Sequence, residues 1–236
     1  MSESDRQDVM TTTILWDLDG TLLRAAGTGR LSYTAALLAV TGAEFPITPI
    51  EMGGRTDPDI ASLVLVAAGF DDPALVPLLL DAVDAYYSAS ATDLRALTTA
   101  TPGAAAALHA FAGASVTQTV VTGNLESVAR HKVEAADLRH HLHLEHGGYG
   151  SDHGVRAELV RLAVRRLDAA GLRADPARTW VVGDTPRDLD GARQAGVRCA
   201  LVATGTYELD ALDTLGADAV FADLTDLDRL LDLVVS

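Results

Sequence analysis

The sequence predicts an α/β protein, a doubly wound parallel sheet carrying an inserted all-helical domain. Three observations predict it. The second half of the 236-residue chain alternates short apolar runs with helical patterns, as in a parallel sheet covered on both faces. The first apolar run, Thr13-Ile14-Leu15-Trp16, ends in Asp17-Leu18-Asp19-Gly20-Thr21, and two acids at a strand exit mark the edge where open α/β sheets place their chemistry. Residues from about 29 to 90 read as helical with no strand among them, so they interrupt the alternation. The core is expected at 1–23 and 100–236 and the insert at 24–99.

Taken in order, residues 1–10 are polar and expected to lack order. A strand is expected over 12–17. In the insert, Leu31, Ala35, Leu38 and Ala39 share a helical face, as do Ile60, Leu63, Val64 and Ala67. Asp57-Pro58 and Asp72-Pro73 read as helix starts, the second leading into a helix from Ala74 to Ser88. Thr101-Pro102-Gly103 punctuates the return and precedes a helix over 103–112. Strands are then expected over 115–121, 142–145, 179–182, 197–203 and 219–221. Helices are expected over 124–136, 155–170, 187–195 and 224–233. There is no internal repeat or low-complexity segment.

Composition narrows the function classes. A net charge of −15 argues against a nucleic-acid or anionic-membrane surface, yet leaves room for a locally positive pocket. One cysteine, Cys199, precludes an internal disulfide. The polar, acidic start lacks the pattern of a signal peptide, and no apolar run is long enough to span a membrane. A cytoplasmic protein without nucleic-acid or membrane partners is therefore expected. Oligomeric state is not readable.

Several strand exits carry polar groups. Asp17 and Asp19 point roughly the same way if strand geometry persists, and their repulsion calls for a cation or a shared proton. An Asp-Gly turn beside a surface acid is the competing reading. Thr122-Gly123-Asn124 precedes a helix, where a hydroxyl and free N–H groups at the positive dipole end make an oxyanion site, although Asn124 also suits a plain cap. Gly183-Asp184-Thr185-Pro186-Arg187-Asp188 places two further acids at a helix start. Asp17, Asp184 and a backbone carbonyl suit magnesium, a hard cation that takes oxygen ligands. Asp188 suits the helix dipole equally.

These segments resemble, in order and spacing, the first, second and fourth motifs of the haloacid-dehalogenase-like superfamily. The resemblance covers nearly the whole chain from residue 12. It implies a Rossmann-like core with a helical cap, closest by cap placement to phosphoglycolate-type phosphatases. It also implies a magnesium-dependent phosphatase of a small phosphorylated metabolite. Asp17 would attack phosphorus and Asp19 would move protons, its backbone carbonyl also serving the metal. Thr122, Gly123 and Asn124 would hold the phosphoryl oxygens, Asp184 would ligate magnesium and Asp188 would orient the metal shell. An acid at Asp19 favours phosphate esters over carbon–halogen bonds, since a departing halide needs no proton.

The third motif departs from the pattern, where the family carries a lysine. Lys132 is the single lysine among 18 basic residues. It follows Asn124 by eight residues, on the order of 12 Å along a helix, so a solvated surface lysine is the favoured reading. Arg156 opens the helix leading to the Asp184 strand, the kind of place the lysine occupies, and is expected to supply the positive charge. Glu51-Met52-Gly53-Gly54-Arg55-Thr56 is read either as a cap loop whose Gly54 and Arg55 touch substrate or as a plain interhelical turn. His140, His141, His143 and His146 split between faces and are not expected to form a zinc site. A sugar phosphomutase, a non-catalytic phosphoryl-binding module and a receiver-type signalling domain are the alternatives.

Overall fold

The computed structural model describes residues 11–172 and 174–235. The expectation for residues 1–10 lies outside the described residues. The chain enters as β1 (Thr11–Trp16), then β2 (Leu23–Ala25), α1 (Thr28–Thr41), α2 (Asp57–Ala67), α3 (Leu75–Ala89), α4 (Ala91–Leu97) and β3 (Thr98–Ala100). It continues through α5 (Ala104–Gly113), β4 (Thr117–Thr122), α6 (Glu126–Ala135), β5 (Gly148–Tyr149), α7 (Arg156–Ala169) and β6 (Ala174–Gly183). It closes with α8 (Pro186–Ala195), β7 (Arg198–Val202), α9 (Leu209–Asp213), β8 (Ala219–Phe221) and α10 (Leu227–Val235).

Six strands form one parallel sheet in the order β5-β4-β1-β6-β7-β8. The chain proceeds outward from β4 on one side of β1 and outward from β6 on the other. The direction of winding therefore reverses beside β1, and a crevice opens at the C-terminal ends of β1 and β6. Alternation along β1 serves two cores. Ile14 and Trp16 pack with α5 and α10 residues such as Phe111 and Leu230, whereas Leu15 packs with Leu159, Val160 and Leu189 of α7 and α8. Both strand faces are buried, so the strands read as continuous apolar runs.

The helical insert leaves and rejoins the core through a two-stranded antiparallel ribbon, with Leu23 opposite Ala100 and Ala25 opposite Thr98. Its apolar centre, around Tyr33, Leu37, Ile60, Val64, Val83 and Tyr87, continues onto Leu125 and Val128 of the core. The insert thus shares a hydrophobic seam with the start of α6. Among the described residues no helix is long and apolar enough to cross a membrane.

Three local expectations are corrected. The buried face of α1 is Ser32, Tyr33, Ala36 and Leu37, while Leu31, Ala35, Leu38 and Ala39 face outward. Apolar residues lie on both sides of this helix, so periodicity alone does not choose the phase, and the bulky Tyr33 and Leu37 take the interior. Residues 142–145 are not a strand: 3-10 turns over Arg139–His141 and Leu144–His146 sink Leu142 and Leu144 into the core and leave the edge strand to Gly148 and Tyr149. A leucine–histidine alternation imitates a half-buried strand because successive turns also bury every second residue. Helix α6 begins at Glu126, with Leu125 in the cap position, two residues later than expected.

Gly103 caps α5 with φ +82°, and a β-carbon there would lie 2.2 Å from the Leu224 carbonyl. Gly42 ends α1 with φ +72° but has open space around it. Gly42→Ala is expected to cost about 1 kcal/mol and Gly103→Ala at least about 3 kcal/mol. Urea denaturation of both variants measures the difference, and equal losses would show that the backbone near Leu224 yields freely.

Candidate active site

Asp17 leaves β1 at the crevice, its N–H bonded to the Val182 carbonyl at 2.8 Å. Asp184 leaves the neighbouring β6 one residue beyond Gly183. Its carboxylate accepts from the Thr21 hydroxyl at 3.2 Å and is wedged between two glycines. A β-carbon would come within 2.4 Å of Asp184 Oδ2 at Gly20 and within 1.6 Å at Gly205. A side chain at either glycine would displace that carboxylate.

Asp188 is fully buried in the first turn of α8 and forms a capping box with Thr185. Its Oδ2 accepts from the Thr185 N–H at 3.0 Å and the Thr185 hydroxyl at 2.7 Å. Its Oδ1 turns inward to the Arg156 guanidinium. The alternatives for Asp188 in the sequence are therefore compatible, one oxygen serving the helix and the other the site.

Arg156, the first residue of α7, is 9% exposed and brings one nitrogen to both acids. Nη2 lies 2.7 Å from Asp17 Oδ1 and also donates to Asp188. Nε is buried without a partner, a donor aimed at nothing the described residues supply.

Carboxylate oxygens of Asp17, Asp184 and Asp188 lie within 4.8 Å of one another. Burial pushes Asp17 up to about 7, with Arg156 opposing and Asp188 adding to the rise. Burial likewise pushes Asp184 up to about 9, reinforced by Asp17 and Asp188 and only weakly relieved by Thr21 and Arg156. One guanidinium therefore does not neutralise three acids. The set fits a hard divalent cation such as magnesium, which takes carboxylate oxygens.

Asp19 stands apart from that cluster. Its Oδ2 accepts from Lys132 Nζ at 2.6 Å and from Asn124 Nδ2 at 2.8 Å. Lys132 is 5% exposed, so the expectation of a solvated helix lysine is overturned. The distance along α6 was sound, but helix side chains lean toward the N-terminus and the long lysine stem spans the gap. Burial disfavours its charge, yet Asp19, Tyr87 and Asp57 more than compensate and hold its pKa above that of an ordinary lysine. Lys132 meets Asp19, whereas Arg156 meets Asp17.

Thr122 is buried at the end of β4, and its hydroxyl accepts from Asn124 Nδ2 at 2.7 Å and Asn124 N–H at 3.3 Å. Among the described residues its own proton has no acceptor. The start of α6 is not the bare anion site that its sequence suggests. Leu125 N–H donates to Asp57 Oδ2 at 2.6 Å and Glu126 N–H to the Ser151 hydroxyl at 3.3 Å. Asn124 does not cap the helix; its side chain joins Thr122, Asp19 and Lys132.

Asp57 is the residue that sequence reasoning missed. It was legible only as the start of α2, and two of its partners, Gly123 and Leu125, lie across the domain boundary. Besides capping α6, it takes a hydrogen bond from the Tyr33 hydroxyl at 2.9 Å, and its N–H donates to the Gly123 carbonyl at 2.7 Å. Gly123 lies so close to the insert that a β-carbon would sit 1.9 Å from the Arg55 carbonyl. Gly54 and Arg55 both line the cavity, but the Arg55 guanidinium is turned to Asp59 at 2.6 Å and to the Glu51 carbonyl at 3.0 Å. The cavity encloses about 500 Å³ between insert and core, with Asp17, Asp19, Thr122, Lys132, Arg156 and Asp184 at its core wall. Among the described residues the histidines form no metal cluster.

A family model described as HAD-hydrolase-like matches residues 156–227, from Arg156 to the first residue of α10. No curated protein matches the chain. A hydrolase from Pseudomonas syringae is similar at 20% identity and a TM-score of 0.70, over 96% of this chain and 100% of that one. CbbY from Rhodobacter sphaeroides, solved in complex with phosphate, is similar at 19% identity and 0.70, over 92% and 96%. A HAD hydrolase, family IA, variant 3, from Entamoeba histolytica is similar at 14% identity and 0.71, over 96% and 100%. At these identities the structures share a fold. The family model supports a haloacid-dehalogenase-like hydrolase segment over residues 156–227.

The raised acids predict how stability responds to pH. Asp17 and Asp184 hold protons in the folded state that they would release on unfolding, from values near 4 up to about 7 and about 9. Their contribution is fully present below the unfolded values and is lost as pH rises through the folded ones. Metal-free protein is expected to lose more stability than Asp184→Asn between about pH 5 and about pH 8. Magnesium is expected to raise the melting temperature of the wild type more at the higher pH. Thermal melts in chelator and in magnesium measure both. A wild-type slope no steeper than that of Asp184→Asn would contradict the electrostatic account.

Proposed function

We propose that the chain is a magnesium-dependent phosphatase that hydrolyses a small phosphorylated metabolite through an aspartyl-phosphate at Asp17. The observation that carries the proposal is the crowding of Asp17, Asp184 and Asp188 around one guanidinium, beside a cavity that also exposes Asp19 and Thr122. Asp17 attacks phosphorus in line with the leaving oxygen. Arg156 holds the Asp17 carboxylate and supplies the fixed positive charge beside it. The Thr122 hydroxyl and the Gly123 and Asn124 turn hold the transferring group. Asp19 protonates the leaving oxygen and then takes a proton from the attacking water.

Magnesium, when bound, offsets the charge between nucleophile and phosphate dianion and polarises the phosphoryl group. Asp17, Asp184 and the Asp19 backbone carbonyl would hold it, and Asp188 would orient its surroundings. Residues 24–99 act as a cap. Closure through Asp57 and Arg55 brings Gly54 and Arg55 over the site and excludes bulk water. Arginine at position 156 keeps the positive charge that a lysine would supply and cannot lose it within the working pH range. The cap placement favours the phosphoglycolate-type branch.

A panel of phosphorylated metabolites, assayed for phosphate release with and without magnesium, tests the reading. Turnover of at least one ester is expected, with loss of about 10⁴-fold or more in Asp17→Asn. Arg156→Ala is expected to lower kcat by on the order of 10²- to 10³-fold, and to lower the melting temperature, because it strands two buried acids. No release from any ester would overturn the reading. Fast isomerisation of a sugar phosphate with slow release would reassign the same residues to a phosphomutase.

A further inference from the structure

The phosphatase reading gives Asp19 two proton transfers but leaves open how a half-exposed aspartate is aimed. Its side chain is 44% exposed, whereas the lysine it meets is 6% exposed. A buried ammonium is costly unless it is fully paired. Lys132 is paired, with Asp19 Oδ2 at 2.6 Å, Asn124 Oδ1 at 2.8 Å and the Tyr87 ring face at 5.7 Å from its centroid. Asn124 is itself fixed, its amide nitrogen shared between Thr122 Oγ and Asp19 Oδ2.

We infer that Lys132 is a positioning residue that, with Asn124, fixes the Asp19 carboxylate so that Oδ1 faces the substrate's leaving oxygen. This rests on the phosphatase reading of Asp19. Two donors converge on Oδ2, and among the described residues none reaches Oδ1. A carboxyl held by one oxygen no longer swings about its last bond, and only Oδ1 is left to carry a proton. As the Asp17 oxygen bonds to phosphorus, the bond from phosphorus to the ester oxygen breaks and the proton passes from Oδ1 to that oxygen, releasing an alcohol. In the second step a water oxygen bonds to phosphorus, its proton passes to Oδ1, and the bond to Asp17 breaks to release inorganic phosphate. Lys132 keeps its proton throughout.

The inference predicts a loss graded by the leaving group. An alkoxide needs a proton as it departs, and p-nitrophenolate does not. Lys132→Met is expected to lower the single-turnover rate of alcohol release from an alkyl phosphate substrate of the wild type by on the order of 10²-fold, with KM within about 3-fold. On p-nitrophenyl phosphate the loss in the single-turnover rate of nitrophenolate release is expected to stay within about 3-fold. In an Asp19→Asn background the same substitution is expected to add less than about 3-fold on the alkyl ester, since a residue acting through Asp19 has nothing left to aim. Lys132→Gln serves the same comparison where Lys132→Met does not fold, with melting curves taken for each variant. Equal losses on both esters, no loss on either, or an undiminished loss in the Asp19→Asn background would overturn the inference while leaving the phosphatase reading intact. A wild type that hydrolyses no phosphate ester would overturn both.

Discussion

Three buried carboxylates at the C-terminal edge of the sheet have one guanidinium among them. Asp17 comes from the end of β1, Asp184 from the exit of β6, Asp188 from the first turn of α8 and Arg156 from the first turn of α7. Like charges at this spacing oppose folding unless something offsets them. Arg156 offsets part, and the raised values of Asp17 and Asp184 mark the remainder. Much of the local architecture follows from this constraint. The reversal of winding beside β1 brings the two strand exits together. The Thr185 capping box holds one Asp188 oxygen so that the other can face Arg156, and Gly20 and Gly205 clear the space for Asp184. The positive partner must also be buried, and Arg156, in the first turn of α7, is.

A second charged group, Asp57 with Lys132 and Asp19, ties insert to core. Asp57 from the insert occupies the N-terminus of α6, the position an anion would otherwise favour. The same helix sends Lys132 back toward Asp19. The Thr122–Asn124 turn, the insert and Asp19 are therefore connected through one short helix. A shift of the insert that withdrew Asp57 would leave the Leu125 N–H without its carboxylate partner and would remove an acid from the surroundings of Lys132.

The sheet was legible because its strands are continuous apolar runs that end in acids or hydroxyls. Asp17, Thr122 and Asp184 each follow such a run, and placing them at strand exits required only the side-chain period and the winding rule. What was not legible depended on distances across the fold. Lys132 reads as a surface residue because sequence spacing measures the helix axis, whereas the direction of its side chain and the depth of its pocket decide where the ammonium lands. Asp57 reads as a local helix start because its three partners come from Tyr33, Gly123 and Leu125, all remote in sequence. The outward face of α1 was mistaken for the inward one because alanine and leucine lie on both sides. The turn at 142–145 imitates a strand by burying alternate leucines.

The central claim is that Asp17, and neither of the neighbouring acids, takes the phosphoryl group. A single turnover with a phosphate-labelled substrate, quenched in acid and mapped by peptide mass spectrometry, reads this directly. The account predicts a hydroxylamine-labile phosphate on the peptide containing Asp17 and its absence in Asp17→Asn. Label on the peptide carrying Asp184 and Asp188, or turnover with no labelled protein at any time point, would contradict it.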